Sequence, residues 1–264
     1  MPVAKRRRPQ LGQRVVFEVR ELDKSTAKQM VLDHHYSGRC PGIKYTYGLY
    51  EDGILVGCVI YAIPASYTLC NGVCGPEYRA QVIELARLVI TTPTANAASS
   101  LIGKSLAALP DHIIVSYADC NEHVGHVGYV YQATNWLYTG QGNAEPVYIL
   151  EADHPSGIPA GTPISYTRRH IDVKARDLGF DWAPNASTGP GLVRRPQIGK
   201  HRYVYFTGAK RFRTKVRAAL RYPILPYPKG DTRRHATGVM VVASRAEPPI
   251  VQLPTSRPIA KKLD

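Results

Sequence analysis

The sequence predicts an α/β fold in which a mixed central sheet is flanked by helices and followed by a basic C-terminal extension. Apolar runs with strand character alternate with helical segments over the first 150 residues. The run Ile113–Tyr117 is short and apolar, which is typical of a strand covered on both faces. An Asp-Gly pair between two β-rich runs adds a hairpin, Asp52-Gly53.

Each element follows from its local pattern. A helix is predicted over residues 24–33, with Ser25 or Thr26 as its cap. The full predicted order is β-α-β-β-β-α-β-α-β. Its strands are residues 15–19, 45–50, 54–62, 82–90, 113–117 and 147–151, and its remaining helices are residues 97–109 and 128–136.

Positive charge is concentrated near the C-terminus. The formal net charge is +14, and residues 191–264 alone carry 17 Lys and Arg against 3 Asp and Glu. A phosphate backbone favours such asymmetry through counterion release, whereas a solubilising tail is the alternative. The sequence therefore predicts nucleic acid as a partner. The candidate contacts lie on a basic helix over residues 210–221: Lys210, Arg211, Arg213, Lys215 and Arg217.

Composition changes divide the chain into four predicted parts. Residues 1–13 form a basic arm expected to be disordered, and residues 14–152 form the core domain. Residues 153–230 form a basic, nucleic-acid-binding extension, with a short helix at 170–178 and a strand at 203–206. Residues 231–264 lack periodicity and are expected to be a flexible tail.

Targeting signals and cysteines favour a cytoplasmic protein. No apolar run approaches the roughly 18 residues of a membrane-spanning helix, and Pro9 follows the basic arm where a signal peptide would place its apolar core. The five cysteines are odd in number and scattered, so reduced thiols are favoured over a disulfide framework.

Two charges interrupt an otherwise apolar predicted strand, at Glu84 and Arg87. Burying an unpaired ion is expensive, so such residues need a reason to be there. They face either a cleft that binds substrate or the solvent at a sheet edge.

A second cluster follows the strand at 113–117. Asp119, His123 and His126 lie in a loop with Gly125 and Gly128, and ligand sites gather at such strand ends. The glycines would allow a backbone to approach a ligand closely. The three polar residues could also bind a metal, although their spacing fits no strict motif.

Short blocks in a fixed order resemble the Mom DNA-modification proteins of bacteriophages over residues 15–150. The blocks are His35-Tyr36-Ser37, Glu84-Leu85-x-Arg87-Leu88, Ser116-Tyr117-Ala118-Asp119, Gly125-His126-x-Gly128 and Val130-Tyr131-Gln132-Ala133-x-Asn135. The resemblance implies a fold like that of the Gcn5-related N-acetyltransferases (GNAT) and conversion of adenine in duplex DNA to N6-(methylcarbamoyl)adenine, which protects phage DNA from host restriction. It also implies a cleft formed by Glu84, Arg87, Asp119, His126 and Tyr131 in a bacterial cytoplasm.

The chemistry of adenine suggests roles for these residues. Its N6 lone pair is delocalised, so a base at N6 would help, with Asp119 the first candidate and His126 the second. In the GNAT fold a tyrosine at the position of Tyr131 can protonate the leaving group. The base must leave the duplex and stack, on Tyr36 or on Trp136. His35, Ser37 and Asn135 complete the predicted substrate contacts.

The donor site departs from ordinary acetyltransferases. Residues 91–100 contain no glycine, whereas the GNAT fold uses a Gly-rich turn there to hold pyrophosphate. Thr94, Asn96, Ser99 and Ser116 are the predicted cofactor contacts, with Thr94 or Asn96 as helix cap. The donor is therefore open: an acyl-CoA or another small activated compound, with a metal ion as a further candidate. Two other functions also stay open, acyl transfer to a different amine and DNA binding without catalysis.

Overall fold

The computed structural model describes residues 16–121, 125–166, 168 and 171–229. The strands are β1 Phe17–Glu21, β2 Tyr45–Glu51, β3 Ile54–Ala62, β4 Val82–Ile90, β5 Ile113–Ala118, β6 Leu137–Gln141, β7 Val147–Leu150, β8 Pro163–Ser165, β9 Leu192–Arg195 and β10 His201–Phe206. The helices are α1 Lys24–His34, α2 Tyr67–Gly72, α3 Ala97–Ala108, α4 Tyr129–Ala133, α5 Ile171–Asp177 and α6 Lys210–Ala218, with a 3-10 helix over Pro76–Gln81.

The central sheet has seven strands in the order β1-β2-β3-β4-β5-β10-β6. Neighbouring strands are antiparallel except β4 and β5, which are parallel. Helices cover both faces, so the predicted fold class, a mixed sheet flanked by helices, is confirmed. The β2–β3 hairpin forms as predicted, because Asp52 and Gly53 both adopt the positive φ that this tight turn requires.

Alternate residues of the strands pack into separate apolar clusters on the two faces of the central sheet. Helix α3 packs on one face with Leu101, Ile102 and the β5 residue Ile114. On the opposite face, α1 packs over β3 and β4, whereas α2 and α6 pack over β5 and β10 through residues such as Val115 and Val216. The second face therefore carries two groups of helices, each with its own apolar cluster.

Several predicted boundaries need correction. Helix α1 is capped by Asp23, whose carboxylate accepts a hydrogen bond from the Thr26 amide at 2.8 Å, and not by Ser25 or Thr26. The helix predicted over 128–136 ends at Ala133, because Asn135 turns the chain with φ 59°. Asn135 is thus the left-handed helix end that the sequence indicates.

The predicted end of the core at residue 152 is also wrong. Strand β10 lies between β5 and β6, with Val204 opposite Val115, so residues predicted as part of an extension complete the central sheet. Strand β7 belongs instead to a three-stranded sheet, β8-β7-β9. With α5, that sheet forms a separate small core around Tyr148 and Trp182. We call residues 143–199 the insertion.

Other predictions fall outside the described residues, namely the basic arm at 1–13 and the tail at 231–264. Among the described residues, no helix is long and apolar enough to cross a membrane.

Candidate active site

The candidate site lies where β4 and β5 stop pairing, and we call this region the cleft. The two strands pair only from Val82 to Glu84 and from Ile113 to Val115. Beyond these pairs their carboxyl ends diverge, which is where ligand sites form in α/β sheets.

A β-bulge orients the two charges of β4. Ile60 pairs with Arg87 and Tyr61 pairs with Leu85, which leaves Ala86 as the extra residue. In a regular strand, residues three positions apart point to opposite faces of the sheet. Because Ala86 is an extra residue, Glu84 and Arg87 lie on the same face. The predicted cleft-facing pair therefore depends on this irregularity.

Arg87 is held rigidly by two backbone carbonyls. Its Nε donates to Arg39 O at 2.9 Å and its Nη1 donates to Ala86 O at 2.6 Å. Burial raises the pKa of the half-buried Glu84 carboxyl, and the positive charges of Arg87 and Lys200 only partly oppose this effect. A carboxylate with a raised pKa is a stronger base than an ordinary surface carboxylate.

Asp119 lies at the end of β5 and is buried, with 5% of its surface exposed. Its carboxylate forms an ion pair with Lys200 Nζ at 2.8 Å and accepts a hydrogen bond from Asn121 Nδ2 at 2.9 Å. Burial alone would raise the pKa of this carboxyl, but the bonds from Lys200 and Asn121 hold it below its ordinary value. A lowered pKa makes Asp119 a weaker base than Glu84.

The loop after α1 forms another wall of the cleft. His35 and Tyr36 stack with ring centroids 4.4 Å apart, and Tyr36 is 49% exposed. The Ser37 amide donates to His35 Nδ1 at 3.1 Å, so the imidazole proton is on Nε2. Burial lowers the pKa of His35 to about 4, and the charges of Arg87 and His126 add to the shift. His35 is therefore neutral near pH 7.

Tyr131 and Ser116 join the two sides of the strand separation. Ser116 Oγ lies 2.9 Å from Leu85 O and 2.7 Å from the Tyr131 hydroxyl. The carbonyl can only accept, so the serine proton goes to Leu85 and the Tyr131 hydroxyl donates to Ser116. Burial raises the pKa of Tyr131 to about 12, and Tyr36 and Glu84 contribute to this shift. Ser116 is buried and is thus a partner of Tyr131, and its role as a cofactor contact stays a prediction.

His126 completes the set that the structure brings together. Its backbone amide donates to Asp119 O at 2.7 Å, and its charge acts on His35 across the cleft. The neighbouring Gly128 does not serve close approach to a ligand, because the Tyr203 ring fills the space where its Cβ would be. No group of three or more potential metal ligands exists among the described residues, and His123 lies outside them.

The predicted donor loop is occupied by a side chain of the protein itself. The Glu51 carboxylate accepts hydrogen bonds from Thr92 Oγ1 at 2.6 Å and from Thr94 Oγ1 at 2.5 Å. Asn96 is the N-cap residue of α3, but its side chain makes no capping hydrogen bond, and Ser99 Oγ donates to Asn96 O at 3.1 Å. The Glu51 carboxylate therefore accepts the hydrogen bonds that Thr92 and Thr94 could otherwise donate to an anionic ligand.

Trp136 cannot stack on a base, contrary to one alternative of the sequence analysis. It is 0% exposed and packs against Tyr131 and Tyr205 in the core. The neighbouring Asn135 is exposed, but it lies in a groove away from the cleft.

That groove runs beside α6, whose five basic side chains are all exposed. Its volume is about 310 Å³. Buried Val216 anchors the helix to the sheet, so the charged residues point outward as the amphipathic pattern requires. The polar lining residues are Asn135, Lys210, Arg213, Thr214 and Arg217.

Lys200 was not predicted as a site residue. It follows the insertion directly, and its only signals are a preceding glycine and a return to a buried strand. No motif surrounds it, so only the three-dimensional structure reveals its pairing with Asp119.

The model of the Mom protein family matches residues 16–229, a span that includes the cleft, the insertion and α6. No curated protein matches the chain.

Similar solved structures are GNAT acetyltransferases. A GNAT-family acetyltransferase from Bacillus cereus ATCC 10987 is 11% identical, with 74% of this chain and 99% of that chain covered and a TM-score of 0.35. YncA from Salmonella typhimurium, solved with acetyl-CoA, is 9% identical, with 49% and 83% covered and a TM-score of 0.33. An apo variant of agmatine N-acetyltransferase is 11% identical, with 72% and 100% covered and a TM-score of 0.35. At these scores the likenesses carry no conclusion about donor or substrate.

Proposed function

The chain belongs to the Mom protein family, and we propose that it is a transferase that converts adenine in duplex DNA to N6-(methylcarbamoyl)adenine. This modification would protect that DNA from restriction. The supporting observation is the convergence of sequence blocks that lie far apart in the chain. Residues from the α1 loop, β4, the end of β5 and α4 lie close enough for their charges to affect one another, namely His35, Tyr36, Glu84, Arg87, Asp119, His126 and Tyr131.

Glu84 is the residue that we assign to accept the proton of the adenine N6 amine. It is half-buried, its pKa is raised, and it lies in the cleft beside Arg87. Asp119 was the first candidate from the sequence, but its charge is already compensated by Lys200 and Asn121. The Asp119 carboxylate therefore acts by holding Lys200 and Asn121, and Glu84 takes the place of the base.

Tyr131 suits the role of proton donor to the leaving group. Its high pKa keeps the hydroxyl protonated until negative charge develops on the leaving atom. For this transfer the Tyr131 hydroxyl turns from Ser116 to the leaving group, and the Ser116 hydroxyl turns from Leu85 O to donate to the phenolate oxygen.

Tyr36 provides the surface on which an extruded adenine can stack. Its ring is supported from behind by His35 and is half exposed to the cleft. Because N6 is inaccessible to a closed site while adenine is paired and stacked, extrusion into this cleft would bring the amine to Glu84.

The basic face of α6 is proposed to contact the DNA backbone. Its exposed Lys and Arg residues supply the charge that phosphates favour, and Asn135 adds an amide to the same groove. The donor is proposed to be a small activated compound that needs no pyrophosphate site, because Glu51 occupies the loop before α3.

Mass spectrometry of nucleosides tests the proposal directly. DNA from a bacterial host that expresses the full chain should contain a modified deoxyadenosine, and DNA from a host expressing the Glu84→Gln variant should not. A new mass on another nucleoside would identify a different amine as substrate. Unmodified DNA, together with tight binding of the purified protein to duplex DNA, would indicate a binding protein without catalysis.

A further inference from the structure

Lys200 is placed in the cleft by an unusually firm backbone. Asn121 Oδ1 accepts a hydrogen bond from the Ile198 amide at 3.0 Å, and Asn121 Nδ2 donates to Ile198 O at 3.1 Å. The Gly142 amide donates to Lys200 O at 2.9 Å. Gly199 packs so closely on Gly142 that a Cβ would overlap its carbonyl. The end of the insertion is thus fixed on both sides of Lys200.

The ammonium of Lys200 remains available although it is paired. Its side chain is 49% exposed, whereas its partner Asp119 is only 5% exposed. A ligand in the cleft therefore meets the ammonium first, with the carboxylate behind it. An ammonium has three donors, and the ion pair with Asp119 uses one of them.

A second cation faces the same space. Arg87 uses Nε and Nη1 for backbone carbonyls, which leaves Nη2 for a ligand. Arg87 lies on β4 beyond its last pair with β5, and Lys200 is paired with Asp119 just after the end of β5, so both cations lie where the two strands separate. Their positive charges also both act on the Tyr36 hydroxyl and on the Glu84 carboxyl.

We propose that Lys200 and Arg87 together bind an oxyanion of the ligand, a phosphate or a carboxylate, and that Lys200 fixes its position beside Tyr36. The proposal deepens the transferase function and rests on the same cleft. The oxyanion belongs either to the phosphate of the target nucleotide or to the donor. A flexible ammonium at one side and a fixed guanidinium at the other suit a tetrahedral or planar oxyanion that must be held while the adjacent base reacts.

Calorimetry on the full-length protein tests this with four probes: inorganic phosphate, acetate, deoxyadenosine and deoxyadenosine 5′-monophosphate. Lys200→Gln alone would leave Asp119 buried without its cation and could unfold the protein. The comparison therefore uses Asp119→Asn against the double variant Asp119→Asn/Lys200→Gln, which differ only at Lys200. Arg195→Gln, an exposed arginine of β9, is the control for loss of one positive charge.

We expect Asp119→Asn to bind phosphate or acetate at least as tightly as the wild type, because its ammonium has lost a competing anion. The double variant should bind at least about tenfold more weakly than Asp119→Asn. Lys200→Arg should keep most of the affinity, and Arg195→Gln should keep all of it. If the nucleotide supplies the oxyanion, the preference for deoxyadenosine monophosphate over deoxyadenosine should disappear with Lys200. If only phosphate or acetate depends on Lys200, the donor supplies it.

The proposal would be overturned if Asp119→Asn and the double variant bound all four probes with equal affinity. It would also be overturned if neither the wild type nor Asp119→Asn bound phosphate or acetate at probe concentrations up to about 10 mM. Nucleoside masses measured separately distinguish this failure from failure of the proposed function. Binding that depends on Lys200 without any modified adenine would contradict the reaction and leave the oxyanion site intact.

Discussion

Replacing Arg213 and Arg217 of α6 with glutamine should weaken binding to duplex DNA and make it less dependent on salt. Both side chains are exposed and line the groove with Asn135. They are four residues apart, about 6 Å along the helix, so both can reach phosphates of one strand, which rise about 3.4 Å per nucleotide along the DNA axis.

The magnitude follows from counterion release. Each phosphate contact contributes about 0.9 to the slope of log affinity against log salt concentration, so losing two contacts should reduce the slope by about 1.8. Between 50 and 200 mM salt the wild type should therefore lose about tenfold more affinity than the double variant. Fluorescence anisotropy with a labelled duplex, measured at four or more salt concentrations, gives both slopes.

The matched control replaces Lys24 and Lys28 of α1 with glutamine. These two residues are also exposed and four positions apart. It changes the net charge equally, so it should leave the slope close to that of the wild type. Equal slopes for the wild type and the α6 variant, or an equal reduction in the control, would refute the assignment of α6 as the DNA-contacting surface.

Four further outcomes test the cleft. Glu84→Gln should reduce modified adenine at least about 100-fold with the circular dichroism spectrum unchanged, and activity near that of the wild type would return the base role to Asp119. Tyr131→Phe should reduce modification by a similar factor and lower the free energy of unfolding by about 1 kcal/mol, and full activity would leave this hydroxyl a packing role only. Coenzyme A should show no micromolar binding to the wild type by calorimetry and bind more tightly to Glu51→Gln, whereas micromolar wild-type binding would contradict a donor without pyrophosphate. The pKa of His35 is about 4 in the folded state, below its unfolded value of about 6.5, so the free energy of unfolding should fall as the pH drops from 6.5 to 4. In thermal melts His35→Gln should lose less stability over this range than the wild type. An equal loss would show that the His35 imidazole is solvated.

The central part of the fold could be predicted because its signals are local. The Asp52-Gly53 turn, the apolar run at β5 and the helix before it are each determined by neighbouring residues. The position of β10 is not local, since Val204 pairs with Val115 across about ninety residues, and a strand pattern does not identify its partner. For the same reason β7 was predicted in the central sheet, whereas it pairs with β8 and β9 in the three-stranded sheet.

The candidate site divides in the same way. Glu84 and Arg87 could be singled out because charges in an apolar strand need a reason, but their shared orientation depends on the bulge at Ala86, which no local residue type signals. The exposure of Trp136 was misjudged, because an aromatic residue at a helix exit is compatible with either a core or a binding surface.

The basic residues near the C-terminus have different structural roles, so their total charge does not measure the number of DNA contacts. Lys200 neutralises a buried carboxylate in the cleft. Arg202 bonds to Thr139 and stacks 3.6 Å over the Tyr222 ring, so it supports the packing of the segment after α6. Lys210, Arg213 and Arg217 of α6 are exposed and line one groove. Truncating the chain near residue 190 would remove these cations together with β10, which joins β5 to β6 in the central sheet. A loss of DNA binding by the truncated chain would therefore not show which residues contact DNA. Point variants on α6 are therefore the way to separate DNA binding from folding.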